Sequence, residues 1–313
     1  MSRPVKPIKT ILPELVDYLC NPPESIKLPS MPRFNECTGG FRAKEFTILC
    51  GSTGSGKTSL LSNFSADLVL NKTKHFVMSV ETGHLDYLAR VVSVLVNEDL
   101  NTGEPIPKEK ILRIGVDQNE KLFSELIEFS LYDNRVPLEE LLQDLKWAVE
   151  NGCKIAFIDN LNFFMDITTD KNWVVEMDRV THELIMFCKR NPIHIVMVMH
   201  PKKTVQGTRV LNEFDVKGSS TAVQEANNIL LFNRPDPSSI ESGTAKNTDR
   251  ELMIAKMRRR GKYVGRTLVF DGQSPRYKER GYLGNVQGSE RENIKPSQTT
   301  KKAGLPYWDD SLG

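Results

Sequence analysis

The chain has 313 residues, of which 39% are hydrophobic and 26% charged, with a formal net charge of +2. That length and apolar share can fill the core of one large domain or two small ones, which excludes a disordered chain. Its longest apolar runs, such as "IHIVMVM", are strand length and far short of the roughly 18 residues of a membrane span, so no membrane role is expected. "MSRPVKPIKTIL" shows no leader pattern, and the five cysteines (Cys20, Cys37, Cys50, Cys153, Cys188) form no CxxC pair. Buried, reduced thiols and a cytoplasmic protein, of a bacterium or a phage-infected cell, are the expectation. Charge is uneven: from Lys256 to Lys302 thirteen Lys/Arg stand against four Asp/Glu, which suits an anionic partner or a solvated basic surface.

Residues 1–28 read as an arm carrying one short amphipathic helix, "ILPELVDYLC", bracketed by prolines at 7, 22, 23 and 29. From about 45 to 271 the strand-like runs "EFTILC", "HFVMSV", "KIAFID", "IHIVMVMH", "NILLFN", "ELMIAKM" and "RTLVFD" are separated mostly by helical patterns. Buried apolar strands spaced by helices predict an α/β fold with a mostly parallel sheet and helices on both faces. The last two runs are joined by "RRRGKYVG", so the sheet is expected to end in an antiparallel hairpin. The body spans 29–287, and the polar stretch 288–313 reads as a flexible tail.

The segment Gly51-Ser52-Thr53-Gly54-Ser55-Gly56-Lys57-Thr58 lies between a strand and a helix. In this P-loop pattern the glycines let backbone N–H groups close on phosphates, Lys57 reaches the outer phosphates, and the Thr58 hydroxyl is a Mg²⁺ ligand. ATP or a dNTP with Mg²⁺ is the expected ligand. In such sheets ligands bind beyond the strands' carboxyl ends, where Glu81, Asp159 and His200 stand out. Asp159 suits the Mg²⁺ or its water, Glu81 the attacking water, and His200 the γ-phosphate. A helix cap for Glu81 and a core position for His200 stay open on the residues alone.

"GGFRAKEFTILCGSTGSGKT", "SVET", "IDNLNFFM", "VMHPKK", "GSSTAVQEANNILLF" and "IAKMRRRGKYVG" occur in the order found in the RecA-like motor domain of replicative hexameric helicases. The chain from about 29 to 275 resembles that family, which includes DnaB, the phage primase-helicases and, most closely here, Twinkle. The resemblance implies an NTP-hydrolysing helicase that forms a ring, most often of six, and moves 5′ to 3′ on single-stranded DNA while unwinding the duplex at the fork. It implies Glu81 as catalytic base, Asp159 as second metal-site acid and His200 as sensor. It also implies Lys256 and Arg258 as residues reaching the neighbouring subunit's nucleotide, although Arg259 and Arg260 follow directly and a basic hairpin tip is the other reading. The helix near Ile11 to Cys20 resembles a linker helix that docks on the adjacent motor domain.

Two polar segments, 166–178 and 201–220, follow catalytic strands, and in the resembling helicases such loops grip the strand. Lys202, Lys203, Arg209 and Lys217 offer charge to phosphates; Gly218, Ser219 and Ser220 offer N–H groups and hydroxyls. Tyr307 and Trp308, followed by Asp309 and Asp310, make the tail a docking peptide for a polymerase or single-strand-binding protein, or a segment that folds back. A primase is a further expected partner. The alternative function is a RecA/RadA-type recombinase or a KaiC-like ATPase, which shares the fold and the ring.

Overall fold

The structure, a computed structural model, describes residues 7–114, 120–131, 137–160, 173–201, 211, 215–216 and 220–283. Five short apolar strands form its centre: β3 (Phe46–Cys50), β4 (His75–Ser79), β6 (Ile155–Asp159), β7 (His194–Met199) and β8 (Asn228–Asn233), every residue buried. Before them come helix α1 (Ile8–Cys20), helix α2 (Pro32–Thr38) and a small antiparallel pair, β1 (Ser25–Ile26) with β2 (Phe41–Arg42). The nine-stranded sheet runs β11-β10-β9-β8-β3-β7-β6-β4-β5, with β5 (Ile127–Phe129) at one edge. Pairing is parallel from β8 through β3, β7, β6 and β4 to β5. The other edge is antiparallel: β9 (Asp249–Met257), β10 (Thr267–Asp271) and β11 (Lys278–Leu283). The expected hairpin is present as β9–β10. The sheet continues one strand further, to β11, which the weak alternation of "KERGYL" conceals in the sequence.

Period-two alternation divides the core into two layers. Leu49, Val77, Phe157, Val198 and Phe232 face one side, where they pack with Leu60 and Phe64 of α3 (Lys57–Leu70) and Tyr87 and Val91 of α4 (His84–Val96). Ile48, Met78, Ile158, Met197 and Leu231 face the other, against α7 (Leu138–Glu150) and α8 (Trp173–Arg190). Leu138, Leu141, Leu145 and Ala148 place one stripe of α7 in that core, and Glu139 and Glu140 in its first turn complement the helix dipole. Lys189 and Arg190 do the same in the last turn of α8. Four shorter helices are also present among the described residues: α5 (Lys108–Ile114), α6 (Glu120–Leu126), α9 (Ser220–Glu225) and, after β8, α10 (Pro237–Glu241).

No residue of α1 is buried, and Ile11, Leu12, Leu15, Val16 and Leu19 are exposed along it. The fold takes hold before residue 29: Ser25 and Ile26 pair with Arg42 and Phe41, and Leu28 is fully buried. Four cysteines are buried as expected, but Cys20 is exposed, at the end of a helix none of whose residues is buried. Among the described residues no helix is long and apolar enough to cross a membrane.

Candidate active site

The phosphate loop leaves β3 at Cys50 and enters α3 at Lys57. Two glycines shape it. Gly56 has φ +96°, where an L side chain is strained, and a Cβ on Gly51 would stand 2.3 Å from the Phe232 carbonyl oxygen. Within the loop, buried Lys57 folds back and donates from Nζ to the carbonyls of Gly51 (2.8 Å) and Ser52 (3.0 Å). Burial pushes its pKa down, opposed by the carboxylates of Asp159 and Glu81 among others. A desolvated ammonium held only by carbonyls is suited to accept an anion. The buried Ser55 hydroxyl has no hydrogen-bond partner among the described residues, which marks a second place where a ligand oxygen fits.

At the neighbouring strand ends, the Thr58 hydroxyl donates to Asp159 Oδ2 at 2.7 Å. Burial pushes the Asp159 carboxyl up to about 6; the Thr58 bond opposes this, the Glu81 charge adds to it, and Lys57 opposes it. A hydroxyl and a buried carboxylate beside a phosphate loop are hard oxygen donors that fit Mg²⁺, which takes few protein ligands and completes its shell from phosphate and water. Among the described residues no cluster of three or more His, Cys, Asp or Glu could hold a metal ion. Cys50, at the loop's root, is pushed by burial up to about 12, which favours the thiol form.

Glu81 and His200 come together as their positions at strand ends suggest, with Glu81 Oε2 3.9 Å from His200 Nε2. Asn160 lies between them and is joined to Asp159 by a cis peptide. Sequence reasoning gave Asn160 no role, although it stands in one of the matched segments. Arg234 was also missed: it donates from Nε and Nη2 to the Gly54 carbonyl at 3.0 and 2.8 Å, clasping the loop tip. The signal was present, because Arg234 directly follows β8 and polar residues at the carboxyl ends of parallel strands are the ones to inspect.

The basic cluster at the end of β9 separates into three sets of contacts. Lys256 Nζ donates to the carbonyls of Val223 (2.6 Å) and Gln224 (2.7 Å). Arg258 Nη2 donates to Gln224 (2.5 Å) and Glu225 (3.3 Å), and its Nε to Ala226 (3.3 Å). Both heads thus rest at the carboxyl end of α9, with Met257 between them turned into the core. Arg259 instead pairs with Glu45 (2.5 Å) and reaches Tyr18 of α1, while Arg260 donates to the Glu36 carbonyl.

Of the residues expected to hold DNA, Lys202, Lys203, Arg209, Lys217, Gly218 and Ser219 lie outside the described residues, as does most of 166–178. Ser220 opens α9. The tail residues Tyr307 and Trp308 lie outside them too.

A mostly parallel sheet with an antiparallel edge, a phosphate loop after β3 and acids at the ends of β4 and β6 define a RecA-like P-loop NTPase. The model of the DnaB-like helicase C-terminal domain family matches residues 29–279, and the chain belongs to that family. It is therefore the NTP-hydrolysing motor domain of a replicative helicase. Among solved structures it is similar to the ATPase domain of G40P, with a TM-score of 0.70 and 14% identity over 88% of this chain and 99% of that one. It is also similar to a DnaB-like replicative helicase whose structure was described with its interactions with primase, with a TM-score of 0.67 and 15% identity over 88% of this chain and 67% of that one. At such identities the likeness is one of fold.

Lys57→Ala is expected to weaken ATP binding itself, because it removes the one buried ammonium from the loop. Equilibrium titration with a fluorescent ATP analogue measures this, and wild-type affinity in the variant would contradict the phosphate-loop assignment.

Proposed function

We infer that the protein works as a ring, most simply of six subunits, that hydrolyses ATP between neighbouring subunits, moves 5′ to 3′ along one DNA strand and unwinds the duplex at the fork. The observation that carries this reading is the position of Lys256 and Arg258. Their heads sit on carbonyls of residues 223–226, just before β8 begins, whereas the phosphate loop leaves the opposite, strand-end edge of the sheet. The six residues of β8 span roughly 17 Å between those edges. Neither head can serve the chain's own nucleotide, so a role in hydrolysis requires a neighbour. Position also favours Arg258 over its two successors. It shares the face of Lys256, two residues back on an extended strand, while Arg259 and Arg260 are committed to Glu45 and Glu36.

In this mechanism the loop N–H groups and Lys57 hold the phosphates, and Thr58 and Asp159 are the residues that would hold Mg²⁺. When bound, the metal would supply charge neutralisation on the phosphates. Glu81 takes the proton of the attacking water, Arg258 from next door stabilises charge on the transferring phosphoryl group, and His200 registers loss of the γ-phosphate. His200 lies at the head of segment 201–220, whose Lys202, Lys203, Arg209, Lys217, Gly218, Ser219 and Ser220 we assign to the DNA backbone. The exposed apolar face of α1 is assigned to the adjacent motor domain. A primase is the proposed recruit of the ring, and a polymerase or single-strand-binding protein that of the tail.

Forked duplexes with one single-stranded arm each test the reading. Unwinding should need ATP and a 5′ arm on the tracked strand; unwinding from a 3′ arm alone, or strand exchange without unwinding, would contradict it. Affinity for single strands should fall with salt, with log K changing by about −0.7 per phosphate neutralised. Lys217→Ala should make that slope shallower by about 0.7 without altering sequence preference. An unchanged slope would remove Lys217 from the grip.

A further inference from the structure

In the sheet β6 lies between β4 and β7, and each of these strands leads into one polar residue of the site. Glu81 follows β4, His200 follows β7, and Asn160, only 4% exposed, follows β6 between them. Asn160 Nδ2 is 2.6 Å from Glu81 Oε2 and 3.1 Å from His200 Nε2. A carboxylate oxygen only accepts, so the atom beside it is the amide nitrogen and not the amide oxygen. That nitrogen carries two hydrogens and no acceptor, so His200 Nε2 accepts here and its ring proton is assigned to Nδ1.

A γ-phosphate oxygen is also an acceptor. It can bond His200 Nε2 only when that nitrogen carries a proton, and a protonated Nε2 would face the Asn160 amide donor to donor. Engagement of a γ-phosphate by that atom and its bond to Asn160 therefore exclude each other, and the amide that must give way also holds the Glu81 carboxylate.

We propose that Asn160 is a positioning residue that keeps the catalytic base and the phosphate sensor in one frame, so that any change of partner at His200 Nε2 is passed to Glu81. This rests on the roles inferred above for Glu81 and His200. A buried amide that merely fills a polar corner would leave the chemical step and its response to DNA intact.

The test uses the full chain carrying Asn160→Ala or Asn160→Asp, with ATPase rates measured with and without single-stranded DNA. Asn160→Asp keeps the shape while replacing donor by acceptor, and it carries the test if the alanine variant does not fold. Each is expected to lose about 10- to 100-fold in kcat, with KM for ATP within about threefold of wild type. The ratio of rates with and without DNA should fall toward one. A kcat within about twofold of wild type, a rise in KM matching the fall in kcat, or full DNA stimulation at reduced kcat would each overturn the proposal. Glu81→Gln measured in parallel separates the two readings. If it is inactive while Asn160→Ala is active, only the positioning role fails. If Glu81→Gln is active, the assignment of the base fails with it.

Discussion

Arg258→Ala is expected to assemble and bind nucleotide normally while hydrolysing ATP about 10³- to 10⁵-fold more slowly, the range for an arginine supplied in trans to a transferring phosphoryl group. That loss corresponds to about 4 to 7 kcal/mol of transition-state stabilisation. The side chain also caps the end of α9 by bonds to Gln224, Glu225 and Ala226, but it is partly solvated there. Losing those bonds costs on the order of 1 to 3 kcal/mol and acts on local stability. The kinetic effect is therefore the larger, and the two are separable by measuring thermal stability beside turnover. Mixing Arg258→Ala with Glu81→Gln subunits under exchange should restore part of the activity, because some interfaces then join an intact Glu81 to an intact Arg258. No recovery in the mixture would contradict action across the interface.

Glu81→Gln should lower kcat by about 10²- to 10⁴-fold, as removal of a general base does, with ATP and DNA affinities largely kept. The substitution is a narrow one. A glutamine oxygen can still accept from Asn160 Nδ2, so the contact that places the side chain persists while its basicity is lost. Glu81 is about half exposed and makes no hydrogen bond to the phosphate loop, so nucleotide binding should change little beside turnover. Single-turnover hydrolysis and equilibrium binding distinguish the two effects. Near wild-type turnover would mean that another group activates water.

The parts of the site legible in the sequence were those built from local pattern. A five-residue apolar run, a glycine loop and Lys-Thr at the head of a helix announce their geometry without knowledge of the rest of the chain. The positions of Asp159 and Glu81 beside the loop were legible because carboxylates stand out at the ends of apolar parallel strands, where ligands bind. Asn160 was not, because its role depends on which strands flank β6, and strand order is a non-local property. The sheet places β4 and β7 beside β6 although β7 follows it in the chain and β4 precedes it by two strands. Short β5 and weakly alternating β11 escaped for a different reason: three residues, or a run broken by Gly281, carry too little periodicity to be seen. The basic cluster 256–260 was visible as charge, yet only the fold shows that its members point to α9, Glu45 and Glu36.

The central claim is that nucleotide chemistry is completed between subunits and coupled to a DNA strand. Solution mass measured with ATP and Mg²⁺, on the same sample whose ATPase is assayed with and without single-stranded DNA, tests it most directly. The account predicts a ring-sized assembly of motor subunits whose hydrolysis rises on adding the strand. A monomer that turns over ATP at a rate indifferent to DNA would contradict it.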